Sequence, residues 1–136
     1  MITVMTHGTF DILHYGHIEY LKKARSLGDK LIVSLSSDAL ARAYGKDPVN
    51  NYAARKKVLE SIRYVDKVVK SESVSREALA EKNKADIYVT SSIYKCYDFS
   101  KYKCKVVFIE PMPNISSTRL KEKIKEKEIC CPEKKF

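Results

Sequence analysis

Two histidines, three residues apart, open the part of the sequence best suited to chemistry. They are His14 and His17 in "THGTFDILHYGH", where an apolar stretch gives way to a helical pattern. Gly8 and Gly16 flank the pair and let the backbone approach a bulky ligand. The first N–H groups of a helix have no intrahelical partner and carry partial positive charge, so a phosphate fits there. Imidazole donors at that place stabilise the charge of a phosphoanhydride under attack. The alternatives are satisfied, partly buried histidines and fortuitous metal ligands.

A second polar segment, "NISSTRLKEKI", lies near the carboxyl end of the chain. Ser116, Ser117 and Thr118 place hydroxyl and backbone N–H groups at the start of a helical pattern, which predicts another anion site. Arg119 and Lys121 follow directly and add positive charge. The alternative interpretation is a plain serine helix cap.

Five apolar segments alternate with helical patterns and must position these residues. The segments that we assign to strands are 1–8, 30–38, 66–71, 85–92 and 103–111; those that we assign to helices are 16–30, 52–65, 73–84 (capped by a serine) and 114–128. Residues 39–51, broken by Gly45 and Pro48, are assigned to a loop. The alternation predicts an α/β fold, a Rossmann-like doubly wound parallel sheet with helices on both faces.

Such a sheet binds its ligand at the carboxyl ends of the strands, beside the switch in strand order. Both polar segments follow predicted strands, so we expect them to face the same edge of the sheet. The length of 136 residues suits one compact unit. We predict a single domain over 1–128 and a polar tail over 129–136.

The bulk composition excludes several classes of protein. No apolar run approaches the ~18 residues that span a bilayer, and no signal peptide is visible, so we expect a cytoplasmic protein without a membrane partner. A net charge of +9 favours an anionic partner, but the charge is spread along the chain and no nucleic-acid-binding motif is present. The four cysteines match no zinc spacing, so no metal site is predicted.

The segment "GTFDILHYGHIEYLKKA" resembles the signature of the cytidylyltransferase-like nucleotidyltransferases, whose hallmark is His-x-Gly-His, here "HYGH". The segments "LGDKLIVSLSSD", "RKKVLESIRYVDKVV" and "ISSTRLK" follow in the order expected for this superfamily. Within it the chain most resembles the glycerol-3-phosphate cytidylyltransferases. The resemblance implies transfer of CMP from CTP to a small phosphorylated alcohol, with Mg²⁺ carried by the nucleotide and a homodimeric enzyme.

The resemblance also implies roles for individual residues. Catalytic roles fall to His14, His17, Lys46 and Arg119; nucleotide binding falls to Gly8, Thr9, Phe10, Gly16, Ile115, Ser116, Ser117 and Thr118; acceptor binding falls to Asp11, Lys46, Arg55 and Arg63. Asp11 is equally suited to cap its own turn. Arg55 and Arg63 are equally suited to be solvated helix charges.

Two segments depart from the resembled pattern. "EPMPN" stands where those enzymes carry Arg-Thr-Glu-Gly, and Ser91 and Ser92 stand where they carry acidic residues. Loss of a polar partner can change acceptor selectivity by orders of magnitude. Two alternatives therefore stay open: an adenylyltransferase that uses ATP to make an FAD, NAD or coenzyme A precursor, and a catalytically inactive nucleotide-binding relative.

Overall fold

The computed structural model describes residues 1–72, 75–111 and 117–129 of the chain. Within these ranges the elements alternate between strand and helix for most of the length. The strands are β1 (Thr3–Gly8), β2 (Lys30–Ser36), β3 (Lys67–Ser71), β4 (Ile87–Ser91) and β5 (Lys105–Ile109); the helices are α1 (Tyr15–Ser26), α2 (Asp38–Ala43), α3 (Tyr52–Glu60), α4 (Arg76–Lys82) and α5 (Ser117–Ile129). None of these helices is long and apolar enough to cross a membrane.

All five strands run parallel in one sheet, in the order β3-β2-β1-β4-β5. The chain moves outward from β1 to β3 and then crosses to β4 on the other side of β1. The strand order therefore reverses beside β1, and ligand-binding crevices form at such a reversal. The predicted α/β, Rossmann-like parallel sheet is confirmed.

Side chains that alternate along the strands build one hydrophobic cluster on each face. On the first face, Leu21 and Ala24 of α1 and Leu59 of α3 pack against Val4 and Val33 of the sheet. On the second face, α4 packs its residues Leu79 and Ala80 against Met5, Ile32 and Tyr88. Because residues i and i+2 of a strand share a face, this split follows from the pleat. Helices therefore cover both faces of the sheet, as predicted.

Two local expectations are wrong. Residues 38–43, assigned largely to a loop, form α2, because the Ser37 side chain accepts a hydrogen bond from the Leu40 backbone at 3.1 Å and Leu40 and Ala41 are buried. A serine, Ser75, occupies the N-cap position of α4 as expected, but the capping hydrogen bond expected from its side chain is absent. The predicted tail lies outside the described residues except for Ile129, which ends α5.

Candidate active site

A cavity of about 970 Å³ opens at the carboxyl edge of the sheet, beside β1. Its wall includes the turn after β1, the start of α1, the loop before α3 and the start of α5. The two polar segments identified in the sequence therefore share one cavity. The predicted site residues that line it are Thr9, Phe10, Asp11, His14, Gly16, His17, Lys46, Ser117 and Thr118.

His14 and His17 form the N-terminal cap of α1. The Nδ1 atom of His14 accepts a hydrogen bond from the Gly16 backbone at 3.1 Å. The Nδ1 atom of His17 accepts one from the His14 backbone at 3.2 Å. Because a backbone N–H only donates, neither Nδ1 carries a proton, and each neutral ring keeps its proton on Nε2. The cap thus fixes both tautomers.

The two imidazole rings lie close together, with centroids 4.0 Å apart. The Nε2 atom of His14 is buried and has no hydrogen-bond partner among the described residues. Burial lowers the pKa of His14. Burial, and then the neighbouring His14 and Lys46, lower the pKa of His17 to about 4. Both rings are therefore neutral near pH 7, and each presents an N–H donor rather than a positive charge.

The turn between β1 and α1 has an unusual backbone. Phe10 and Ile12 both have a φ of 48°, a left-handed conformation that non-glycine residues adopt rarely. The Ser117 hydroxyl donates to the backbone carbonyls of Asp11 and Ile12 and so ties the start of α5 to this turn. Strained residues persist where surrounding contacts hold them, and such residues concentrate at ligand sites.

Asp11 also holds the turn in place. Its carboxylate accepts hydrogen bonds from the backbone N–H groups of Val49, at 2.7 Å, and Asn50, at 3.1 Å. Lys121 pairs with the same carboxylate at 2.7 Å. These three partners lower the pKa of Asp11 although burial opposes them. Asp11 lines the cavity, but its carboxylate links the loop before α3 to α5 and to the turn after β1.

Gly8 ends β1 next to this turn and does not line the cavity. A Cβ atom added at Gly8 would lie 2.6 Å from the ring of Phe10. The Phe10 ring is itself buried and lies 5.6 Å from the His17 ring, centroid to centroid. The glycine predicted to contact nucleotide therefore makes room for Phe10, which packs beside a catalytic candidate.

The acceptor-binding role predicted for Arg55 is wrong. Its side chain is 1% exposed. Its guanidinium donates to the backbone carbonyls of Thr9 at 2.8 Å, Ser36 at 3.0 Å and Asn50 at 3.0 Å, and to the Asp38 carboxylate at 2.7 Å. Arg55 therefore links the backbone at the carboxyl ends of β1 and β2 and is not available to bind a substrate.

Arg63 and Arg119 also lie outside the cavity wall, so their roles stay predictions. The exposed guanidinium of Arg63 stacks on the neighbouring Tyr64, with the Arg63 Cζ atom 5.0 Å from the ring centroid. Arg119 is exposed on the first turn of α5, where Ser117, Thr118 and Lys121 supply the cavity wall. Ile115 and Ser116 lie outside the described residues.

Comparison with known proteins decides the family. The chain matches the family described as Cytidylyltransferase-like over residues 5–123, which is most of its length. The chain belongs to this family. The glycerol-3-phosphate cytidylyltransferase of Staphylococcus aureus is 41% identical over 126 residues, covering 91% of this chain and 96% of that protein. The corresponding protein of Bacillus subtilis is 39% identical over 127 residues, covering 91% and 98%.

A solved structure agrees with this assignment. The lipopolysaccharide core biosynthesis protein of Thermoplasma volcanium matches with a TM-score of 0.74 and 31% identity, covering 82% of this chain and 98% of that one. Membership of the cytidylyltransferase-like family makes the protein a nucleotidyltransferase, so the predicted family and enzyme class are confirmed. The paired histidines and the start of α5 are its candidate phosphate-binding elements.

Sequence reasoning missed a group of cations beside Lys46 in this nucleotidyltransferase. Arg76, at the start of α4, and Lys121 both lower the pKa of Lys46, after burial as the largest cause. The Cζ atom of Arg76 lies 5.2 Å from the centroid of the Tyr44 ring. The Arg76 side chain also hydrogen-bonds to the side chain of Tyr88. A strand-to-helix junction was the available signal, since Arg76 begins the helix after β3.

His7 lies near these cations, and the sequence analysis did not identify it as a site residue. Its Nδ1 atom lies 2.9 Å from the Ser34 hydroxyl and its Nε2 atom 3.1 Å from the Ser36 hydroxyl. Burial, then Arg76 and Lys46, lower its pKa to about 3. A neutral ring between two hydroxyls satisfies three buried polar groups without adding charge. His7 is therefore a neutral, hydrogen-bonded ring close to these cations.

The segment after β4 is the one in which Ser91 and Ser92 replace the acidic residues of the resembled enzymes. Ser91 ends the strand, and its hydroxyl accepts a weak hydrogen bond from the Ile93 backbone at 3.4 Å. This contact starts a single 3-10 turn, Ser92–Tyr94. The turn places the Ile93 side chain, not a serine hydroxyl, on the cavity wall.

Proposed function

We propose that the protein transfers a cytidylyl group from CTP to glycerol 3-phosphate or a closely similar phosphorylated alcohol, releasing pyrophosphate. The relatives named above support this reaction, because they are called glycerol-3-phosphate cytidylyltransferases and align over nearly their whole length. One observation carries the proposal. His14 lines the cavity beside His17, and its buried Nε2 atom has no hydrogen-bond partner in the part of the chain that the structure describes.

The reaction needs no covalent enzyme intermediate. An oxygen of the acceptor phosphate attacks the α-phosphorus of CTP, and the bond from that phosphorus to its bridging oxygen breaks. Pyrophosphate leaves with the electron pair, and the anionic acceptor needs no base to activate it. The protein therefore contributes positioning and charge stabilisation.

The α-phosphate binds at the start of α1 in this proposal. The Nε2–H groups of His14 and His17 point to the charge that grows on its oxygens in the transition state. Because these rings are neutral and fixed by the cap, they donate without reorganising. The β- and γ-phosphates bind Thr118, Lys121 and the first N–H groups of α5, which carry partial positive charge.

In this proposal the acceptor phosphate binds Lys46 on the cavity wall, and the neighbouring Arg76, which is not among the residues of that wall, supplies a second positive charge. Lys46 lines the cavity. After burial, the charge of Lys46 contributes to the lowered pKa of His17, and the charge of Arg76 contributes to the lowered pKa of Lys46. Both cations also contribute, after burial, to the lowered pKa of His7. Like charges held together under partial burial are stabilised by an anion between them. Lys46 keeps the acceptor-binding role that the sequence predicted for it, and Arg76 is added to that role.

Magnesium is proposed as part of the nucleotide and not of the protein. No group of three His, Cys, Asp or Glu side chains within 1–72, 75–111 and 117–129 could hold a metal ion. The Asp11 carboxylate on the cavity wall is already bonded to Val49, Asn50 and Lys121. When bound to triphosphate oxygens, Mg²⁺ would neutralise part of their charge. Homodimerisation and a cytoplasmic location stay predictions.

The test is pyrophosphate release by the purified full chain with Mg²⁺, CTP and glycerol 3-phosphate, with the product identified by mass spectrometry. We expect CDP-glycerol with CTP and much slower turnover when ATP replaces it. Ribitol, choline and ethanolamine phosphates complete the acceptor panel. Faster release with ATP would favour the adenylyltransferase alternative. Tight CTP binding without pyrophosphate release for any acceptor would favour the inactive relative.

A further inference from the structure

The cavity wall has two chemically different ends. At one end lie His14, His17, Lys46 and Lys121, which offer donors and positive charge. At the other end lie residues that follow β4 and β5, including Ile93 and Glu110. β4 and β5 are the first and second strands beyond β1 on that side, so the two ends lie roughly 10 Å apart at ordinary strand spacing. That separation suits a nucleotide that extends from its α-phosphate across the ribose to its base.

Two large apolar side chains of the cavity wall are exposed, one after β4 and one on α5, one helical turn beyond Lys121. Ile93 is 64% exposed and Ile124, on α5, is 60% exposed, and both line the cavity. Large aliphatic groups that remain exposed in a cavity gain free energy when a flat apolar ligand covers them. A nucleobase has two such faces, whereas a triphosphate has none.

Glu110 adds a carboxylate to this end of the cavity wall. It follows β5 directly, next to the position of Ile93, because Ser91 and Ile109 are register partners in the sheet. Its side chain makes no hydrogen bond or ion pair with any residue in the described ranges. A carboxylate is an acceptor only, and it repels phosphate oxygens. The triphosphate therefore lies at the histidine end and the base lies here.

We propose that Ile93, Ile124 and Glu110 form the nucleobase subsite, in which the Glu110 carboxylate accepts a hydrogen bond from the exocyclic amino group of cytosine. Cytosine carries an amino donor at C4, whereas uracil carries a carbonyl acceptor at the same place. The carboxylate bonds the first and repels the second. Glu110 thus selects CTP over UTP. This inference rests on the proposed function, because it takes the ligand to be a pyrimidine nucleotide.

The variant Glu110→Gln tests the inference, because an amide can both donate and accept. Isothermal titration calorimetry with CTP and with UTP measures selectivity independently of turnover. We expect the ratio of CTP to UTP affinity to fall roughly 10- to 100-fold in Glu110→Gln, with UTP binding gained as well as CTP binding lost. The matched control is Glu122→Gln, an exposed carboxylate of α5 that does not line the cavity, and its ratio should equal that of the wild type.

An unchanged CTP to UTP ratio in Glu110→Gln, with its thermal unfolding like that of the wild type, would overturn the inference. Equal loss of both nucleotides would overturn it too, because that result indicates a general effect on the cavity. The proposed function fails separately. If the wild type binds CTP selectively but releases no pyrophosphate with any acceptor, the proposed reaction is wrong. The ratio of CTP to UTP affinity still tests the base subsite in that case.

Discussion

The Nδ1 atom of His17 accepts a hydrogen bond from the backbone nitrogen of His14 at 3.2 Å. With the matching bond from Gly16 to the Nδ1 atom of His14, this contact makes the histidine pair a helix cap. The cap orients both rings and leaves Nε2 as the only nitrogen that can donate. One pair of hydrogen bonds therefore serves the folding of α1 and the binding of phosphate.

The cap can be separated from the donor by substitution at His14. His14→Ala removes both, so we expect the free energy of unfolding to fall by about 1 kcal/mol, the usual loss for a cap residue. His14→Asn supplies a side-chain oxygen that can cap the helix but lacks the ring Nε2, so its stability should lie near the wild-type value. Urea unfolding measures the difference. Equal stability of the Ala and Asn variants would contradict the cap.

Arg55 is expected to matter for stability and not for acceptor affinity. Arg55→Ala leaves the buried carbonyls of Thr9 and Ser36 without their donor, so the free energy of unfolding should fall by about 2–4 kcal/mol. The exposed Arg63 provides the control, and Arg63→Ala should unfold like the wild type. A stable Arg55→Ala enzyme with a raised KM for the acceptor would restore the substrate-binding role.

Arg76 is expected to hold the acceptor phosphate. Arg76→Ala should raise the KM for glycerol 3-phosphate roughly 10- to 100-fold, the range for a lost hydrogen bond to a charged group, while the KM for CTP changes little. Lys82→Ala, at the other end of the same helix, is the matched control. Initial rates at varied acceptor concentration measure both constants. A larger change in the KM for CTP than in the KM for glycerol 3-phosphate would contradict this role and would indicate that Arg76 binds the nucleotide.

Stability should fall as the pH falls below neutrality. The folded pKa values of His17, about 4, and His7, about 3, lie below the ordinary value near 6.5. The unfolded chain therefore binds more protons in this window, and the stabilising contribution is fully present above pH 6.5 and is lost toward pH 4. Each such histidine should remove about 2 kcal/mol between pH 7 and pH 5.

Urea unfolding at pH 7, 6 and 5 checks this expectation. The wild type should lose stability at each step, and His7→Gln should lose less, because one of the two shifted groups is gone. The difference between the two proteins isolates His7 from the carboxylates and from His14 and His17, which contribute equally to both. The same slope in the wild type and in His7→Gln would show that His7 is not held neutral by folding.

The parts of the fold that the sequence could predict depend on local patterns. Strands β1 and β2 are apolar and buried, and the pattern of α1 marks one packed stripe, so periodicity sufficed to order these elements. The short α2 was missed because its six residues are too few for a periodic pattern. Its formation depends on the Ser37 cap and on burial of Leu40, which only the packed structure determines.

The site was predictable where chemistry is local and unpredictable where it depends on distant partners. His14 and His17 lie within one turn, so their spacing already placed both rings at one helix start. The role of Arg55 depends on the carbonyl of Thr9, 46 residues away in the chain. In the sequence alone, Arg55 cannot be distinguished from a solvated helix charge. The same holds for Arg76, because only the folded sheet brings the residues that follow β3 to its carboxyl edge.

The most direct test of the central claim is the rate of pyrophosphate release from CTP and glycerol 3-phosphate by the wild type and by His14→Asn. The account predicts that the variant folds and binds CTP but loses roughly 10²–10³ in kcat, the loss typical of one transition-state donor. A folded His14→Asn enzyme that turns over at the wild-type rate would contradict it.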